Sequence, residues 1–152
     1  MTPQPEVPDT PAELKARALR YLVRREHSRA ELARKLAPHA ASPEAVEEIL
    51  DLLLSKKQQS DERFAAERAR VLSRKYGAAK IRQDLKARGI ADEVIDGLAH
   101  SAEADRAKEI LARKYRQPAT TREERAKRAR FLQGRGFSYD TIKKALALGD
   151  AE

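Results

Sequence analysis

The sequence predicts an all-α protein made of three tandem three-helix repeats in an elongated array. Helix-capping residues and helix-ending glycines or prolines recur along the chain, while patterns typical of β-strands are nearly absent. Charged residues make up 37% and aromatic residues 5% of the 152 positions. Such a composition favours a thin helical array over one large core, because stacked repeats bury their apolar faces against their neighbours.

The first repeat is predicted at 10–59. Thr10 and Ser28 each have a glutamate three residues later, which is the capping-box pattern of a helix start. Ser42 precedes a proline, which is favoured at the first helical position and so starts the third helix. The apolar stripe of the first helix is Leu14, Ala18, Leu19, Leu22 and Val23. The polar, proline-rich residues 1–9 are expected to form a disordered tail.

The second and third repeats are predicted at 60–101 and 102–149. The second contains helices near 61–76, 78–88 and 92–101, and Gly77 is expected to end the first of these as a left-handed cap. In the third, a helix near 103–116 precedes one that opens with a capping box of Thr121 and Glu124. The last helix begins at Ser138 and is expected to stop before Gly149.

The three repeats align with each other at offsets of 49 and 47 residues. This alignment matches Val46 with Ile95 and with Ile142. Residues 71–76 also match 110–115, and both segments end in Arg-Lys-Tyr. A motif of Arg-Gly-apolar followed by an acid and isoleucine occurs at 88–95 and 135–142. We interpret this motif as helix-end structure without a ligand, since the glycine permits a tight turn.

The positive charge increases along the chain, which favours polyanionic partners. The net charge is +8, and it rises from +1 over 1–59 (10 Lys/Arg, 9 Asp/Glu) to +5 over 102–152 (13 and 8). If the repeats stack in register, cations of the first and second helices form one basic stripe; independent solvated charges are the alternative. The predicted binding face is Arg24, Arg25, Arg34, Lys35, Arg74, Lys75, Arg82, Lys86, Arg88, Arg113, Lys114, Arg128 and Arg135.

The sequence lacks the patterns of an enzyme or of a metal protein. With no cysteine, disulfides, iron–sulfur clusters and thiolate zinc sites are excluded. His27, His39 and His100 have no metal-binding spacing and are expected at the surface near helix ends. There is also no phosphate-binding glycine loop. We therefore predict a non-enzymatic protein without cofactor or metal. We also expect a cytoplasmic monomer without a membrane span.

A helix-turn-helix function is disfavoured. Such modules insert the N-terminus of their last helix into the DNA major groove. Here those N-termini carry Glu44, Asp92 and Asp140, which phosphates would repel. Weak, salt-sensitive contact with single- or double-stranded DNA backbones stays open.

Three blocks in this order resemble the RecX family of bacterial recombination regulators. The first is ALRYL at 18–22 with REHSRAELARKL at 25–36. The second is SDERFA at 60–65 with KIRQDLKARGI at 80–90, and the third is KRARFL at 127–132 with RGFSYDTI at 135–142. The chain departs from the family pattern at Lys57–Ser60, which is polar where family members often have an apolar or aromatic residue.

The resemblance implies three three-helix repeats in a curved molecule that binds the RecA–DNA filament. It further implies inhibition of filament growth, ATP hydrolysis and strand exchange, and hence control of recombination, DNA repair and the SOS response. Two alternatives stay open. One is a sequence-nonspecific DNA-binding protein that acts independently of RecA, and the other is a helical adaptor for an acidic partner.

Overall fold

The computed structural model describes residues 7–98 and 102–150, with side chains described as far as residue 147. Over these residues the chain is helical, without strands, which confirms the all-α prediction. A 3-10 turn, Ala37–His39, follows the second helix. The nine α-helices of this part are α1 Pro11–Arg24, α2 Arg29–Leu36, α3 Pro43–Ser55, α4 Asp61–Leu72, α5 Ala78–Ala87, α6 Asp92–Asp96, α7 Glu103–Lys114, α8 Arg122–Gly134 and α9 Tyr139–Asp150.

The helices form two compact units. The first contains residues 7–67 and 86–97, and the second contains 68–85, 98 and 102–150. The middle three-helix set is therefore shared, because α6 belongs to the first unit and most of α5 to the second. The repeat boundaries of 10–59, 60–101 and 102–149 stay predictions, and most of the predicted tail lies outside the described residues. Within the described ranges, no helix is long and apolar enough to cross a membrane.

The first unit forms its helices as the capping pattern predicts. The Thr10 hydroxyl accepts a hydrogen bond from the N–H of Glu13 at 3.2 Å, and the Glu13 carboxylate accepts one from the N–H of Thr10 at 3.0 Å. Ser28 and Glu31 repeat this arrangement. Val23, expected in the buried stripe, is 86% exposed, because nine residues at 100° each place it opposite Leu14. The core contains Leu14, Leu32, Leu36, Leu50 and Leu53.

The helix ends of the second unit differ from the sequence prediction in three places. The Thr121 hydroxyl accepts from the N–H of Glu124, but the Glu124 carboxylate accepts from the N–H of Thr120, one residue before the predicted partner. α4 ends at Leu72 rather than near 76, and α9 continues through Gly149. In the first unit, α6 ends at Asp96, and the last three residues predicted for it, 99–101, lie outside the described part. The core of this unit contains Ala107, Ile110, Leu111, Leu132, Phe137, Ile142 and Ala145.

The two Arg-Gly motifs join each repeat to the preceding one. In the first unit, the Arg88 carbonyl accepts a hydrogen bond from the Ser28 hydroxyl at 3.1 Å. A Cβ atom on Gly89 would lie 2.6 Å from that of Ala30. The Arg88-Gly89 turn therefore contacts the N-terminus of α2 with no room for a side chain.

The second unit repeats this junction at the equivalent positions. The carbonyls of Arg135 and Gly136 accept hydrogen bonds from the N–H groups of Gly77 and Ala79, at 2.8 and 3.2 Å. They satisfy backbone donors at the N-terminus of α5 that have no partner within that helix. Gly136 has a φ of +94°, whereas Gly77 does not have the left-handed conformation expected of it. Gly77 is needed for close approach, since a Cβ there would lie 2.6 Å from the Gly136 oxygen.

Two polar side chains are buried beside the first junction. His27 is 2% exposed, so the surface position expected for it is wrong. Its Nδ1 lies 3.0 Å from the Arg25 carbonyl and its Nε2 lies 2.9 Å from Lys35 Nζ, contacts that suit a neutral ring protonated on Nδ1. Gln59, in the polar segment 57–60, is equally buried and donates to the carbonyl of His27 and the carboxylate of Asp61. Hydrogen bonds thus replace apolar packing here.

Candidate anion-binding groove

The thirteen cations predicted to bind a partner are divided between the two units. Those of the first unit are Arg24, Arg25, Arg34, Lys35, Lys86 and Arg88. Those of the second unit are Arg74, Lys75, Arg82, Arg113, Lys114, Arg128 and Arg135. Their local surroundings decide which of them are available to a ligand.

Three cations of the first set have defined contacts within the unit. Arg25 forms an ion pair with Glu31 at 2.5 Å, and Lys86 lies 3.4 Å from the Asp92 carboxylate. Lys35 lies beside the His27 ring and 4.8 Å above the ring of Tyr21. Arg88 is half-buried, while Arg24 and Arg34 are exposed.

The second unit brings five of the predicted cations together. They line an open groove of about 730 Å³, which we call the basic groove. Two of them follow α4, two end α7 and one follows α8. Its lining consists of Arg74, Lys75, Tyr76, Ile110, Arg113, Lys114, Phe131 and Arg135. Arg128 lies nearby, 4.4 Å from the Tyr115 ring, and Arg82 is half-buried elsewhere in the unit.

The internal repeat explains how these cations meet. The Arg-Lys-Tyr segments at 74–76 and 113–115 are the matching copies found in the sequence, and each lies at or just after a helix end. The Arg113 guanidinium donates a hydrogen bond to the carbonyl of Arg74, which joins the two copies directly. Cations are also stabilised near helix C-termini, where the helix dipole is negative. Both Arg-Lys pairs therefore face one space.

Aromatic rings hold some of these cations against the groove wall. Lys114 Nζ lies 4.2 Å from the centroid of the Phe131 ring, and the Arg135 guanidinium lies 5.1 Å from the same centroid. Arg135 is also 5.4 Å from the ring of Tyr76. Cation–π attraction at these distances orders the side chains without neutralising their charge.

No carboxylate lies among the described residues that line the basic groove. Five like charges at one surface repel each other, and an anion that binds between them removes that repulsion. Guanidinium groups suit phosphate and carboxylate oxygens, because they offer parallel N–H donors. Within the described ranges, no three His, Asp or Glu side chains are grouped to hold a metal. This lining suits a ligand that carries negative charge.

Arg106, which no sequence pattern above had indicated, positions this groove. Its guanidinium donates to the carbonyls of Ser73 and Tyr76 at 2.7 and 2.9 Å and contacts Glu103. The side chain is 15% exposed, and burial lowers the pKa of the group. Arg106 thereby fixes the turn that carries Arg74 and Lys75. The available signal was its position four residues before the buried Ile110, where α7 faces the core.

Similarity to known proteins extends over most of the chain. Models of the first, second and third three-helix domains of RecX match residues 15–53, 60–97 and 101–146. The chain belongs to the RecX family. The regulatory protein RecX of Leptothrix cholodnii is 44% identical over 91% of this chain and 90% of its own length. That of Ralstonia nicotianae is 41% identical over 95% of this chain and 93% of its own length.

Solved structures of RecX proteins share the fold. The crystal structure of RecX from Lactobacillus salivarius matches with a TM-score of 0.81 and 22% identity, covering 93% of this chain and 97% of that one. A second crystal structure of a regulatory protein RecX matches with a TM-score of 0.72 and 27% identity, covering 93% and 75%. The three tandem three-helix domains and the family resemblance predicted from the sequence are both confirmed.

Proposed function

We propose that this chain regulates the RecA recombinase by binding the RecA–DNA filament and inhibiting its assembly, ATP hydrolysis and strand exchange. The observation that carries the proposal is the basic groove, present in a chain whose relatives are named regulatory protein RecX. A groove lined by cations without carboxylates suits the phosphates of a filament's DNA. The regulator acts by occupying the filament and performs no chemistry of its own.

The first experiment is to titrate the single-stranded-DNA-dependent ATP hydrolysis of RecA with this protein at fixed salt and with DNA in excess. A filament regulator inhibits at well below one molecule per RecA, because mere masking of DNA requires near-saturating protein. No inhibition at a large excess of folded protein would exclude the RecA proposal.

Charge reversal tests whether the basic groove carries the effect. Arg74→Glu, Lys75→Glu and Lys114→Glu combined should abolish inhibition. The matched control reverses three exposed cations that do not line the groove, Arg20→Glu, Lys56→Glu and Lys144→Glu, with the same change in net charge. Circular dichroism must show that both variants are folded. Equal inhibition by both variants would exclude the groove as the site.

The same groove also supports a second candidate function, DNA binding independent of RecA. That function predicts tight binding to naked DNA and a steep fall in affinity as salt increases. Each groove cation that pairs with a phosphate should, when it is replaced, reduce the slope of log K against log salt by about 0.7 for single strands. Tight naked-DNA binding without an effect on RecA below saturation would favour this second function.

A further inference from the structure

A second groove lies between α8, α9 and the segment 119–121 of the second unit. Its volume is about 910 Å³, and none of the cations that line the basic groove belongs to it. Its floor is apolar and includes Ala129, Phe137, Ile142 and Leu146. Arg122, Arg125, Arg130 and Lys143 also line it, while Asp and Glu are absent from its described lining. We call it the third-repeat groove.

The first repeat has a groove at the equivalent position, which provides an internal comparison. Ala33, Ser42 and Val46 line it, and each lies 96 positions before its counterpart in the third-repeat groove. The volume is only about 250 Å³ in the first repeat. The groove at this position of the three-helix module therefore has a much larger volume in the third repeat than in the first.

The two grooves also differ in charge. In the first repeat, Arg29 of α2 forms ion pairs with Glu47 and Asp51 of α3, both at 2.7 Å. The counterparts of the two acids in the third repeat are Lys143 and Ala147. The inter-helix ion pairs of the first repeat therefore cannot form there, and a cation occupies the place of a carboxylate.

The rim of the third-repeat groove presents residues that suit a protein ligand. Tyr139, the counterpart of Pro43, is 74% exposed, and Lys143 Nζ lies 5.3 Å from its ring centroid. Arg122 and Arg130 are also exposed. Exposed tyrosine and arginine are enriched in protein–protein interfaces, where an aromatic ring supplies apolar area and a cation supplies pairing.

We propose that the third-repeat groove binds an acidic, amphipathic segment of a protein partner. Apolar side chains of that segment fill the floor, and its carboxylates pair with the cations of the rim. A nucleic acid strand would satisfy the cations but would leave the apolar floor without a complementary surface. The inference rests on the proposed function in one respect, since it assigns the segment to the RecA subunits of the filament.

Photo-crosslinking from position 139 tests this directly. A photoreactive amino acid replaces Tyr139, and the protein is irradiated with RecA filaments on single-stranded DNA. The expected product is a crosslink to RecA at a peptide that contains both carboxylates and apolar residues. Crosslinks only to DNA or to a second copy of the chain, or no crosslink despite filament binding, would overturn the proposal. If the wild-type protein does not bind the filament, the proposed function fails first and separately.

Charge reversal at the rim gives a second readout. Arg130→Glu with Lys143→Glu should weaken inhibition of RecA by about tenfold or more while naked-DNA affinity stays within about twofold. The basic-groove variant should instead lose both activities. Arg20→Glu with Lys56→Glu, exposed cations of the first unit, is the control with equal charge. Inhibition equal to that of the control would refute the proposal.

Discussion

Replacement of Gly136 by alanine should destabilise the second unit by about 3 kcal/mol. Gly136 has a φ of +94°, and an alanine in the left-handed region costs about 1–2 kcal/mol. The added Cβ would also lie 2.7 Å from the backbone nitrogen of Lys80, and such overpacking costs about 1–3 kcal/mol. The reduced entropy of the unfolded chain offsets about 0.4–1 kcal/mol of this.

Gly134 is the matched control two residues earlier. It is the last residue of α8, and a Cβ atom there would meet nothing within 4 Å. Gly134→Ala should therefore stabilise the protein by about 0.4–1 kcal/mol, through the unfolded chain alone. Both substitutions replace an α-hydrogen by a methyl group, but they should change the free energy of unfolding in opposite directions.

Urea unfolding followed by circular dichroism measures both free energies of unfolding. Because the chain has two compact units, hydrogen exchange at the Gly77 and Ala79 amides provides a local readout. Those amides donate to the carbonyls of Arg135 and Gly136, so Gly136→Ala should accelerate their exchange. Free energies for Gly136→Ala and Gly134→Ala that agree within about 0.5 kcal/mol would refute the reasoning.

Three other predictions concern buried polar groups. Ser28→Ala removes both a helix cap and the hydrogen bond to the carbonyl of Arg88, so it should lower the free energy of urea unfolding by about 2 kcal/mol. The control Ser42→Ala removes a cap alone and should lower it by about 1 kcal/mol. Burial lowers the pKa of His27 from its ordinary value of 6.5. The contribution of the neutral ring to the free energy of unfolding is therefore complete above pH 6.5 and decreases below it, because the unfolded chain then binds the proton more readily. Thermal unfolding between about pH 5 and 7.5 should show this decrease, and His27→Gln should remove it. Arg106→Ala leaves two carbonyls without their charged donor and should cost about 2 kcal/mol in urea unfolding; an effect below about 0.5 kcal/mol would show that Arg106 does not anchor the turn.

The sequence by itself determined that the chain contains three three-helix domains and how several of their helices begin. Capping boxes act within four residues, so Thr10 and Ser28 could be read from neighbouring positions. The offset of 47 matched Arg88 with Arg135, and the offset of 49 places Gly77 at the position of Ser28. Those matched positions are the ones that meet at the two junctions.

Only the tertiary structure decided which predicted cations share a surface and which polar groups are buried. Arg74 and Arg113 are 39 residues apart, and no local pattern shows that the backbone of one accepts a hydrogen bond from the other. The sequence predicts His27 at the surface near a helix end, whereas in the structure Lys35 contacts its ring and Gln59 donates to its carbonyl. The physical reason is that the burial of a side chain, and the charged groups beside it, depend on which elements pack against it. Helix capping depends on adjacent residues, whereas these contacts depend on how distant helices pack.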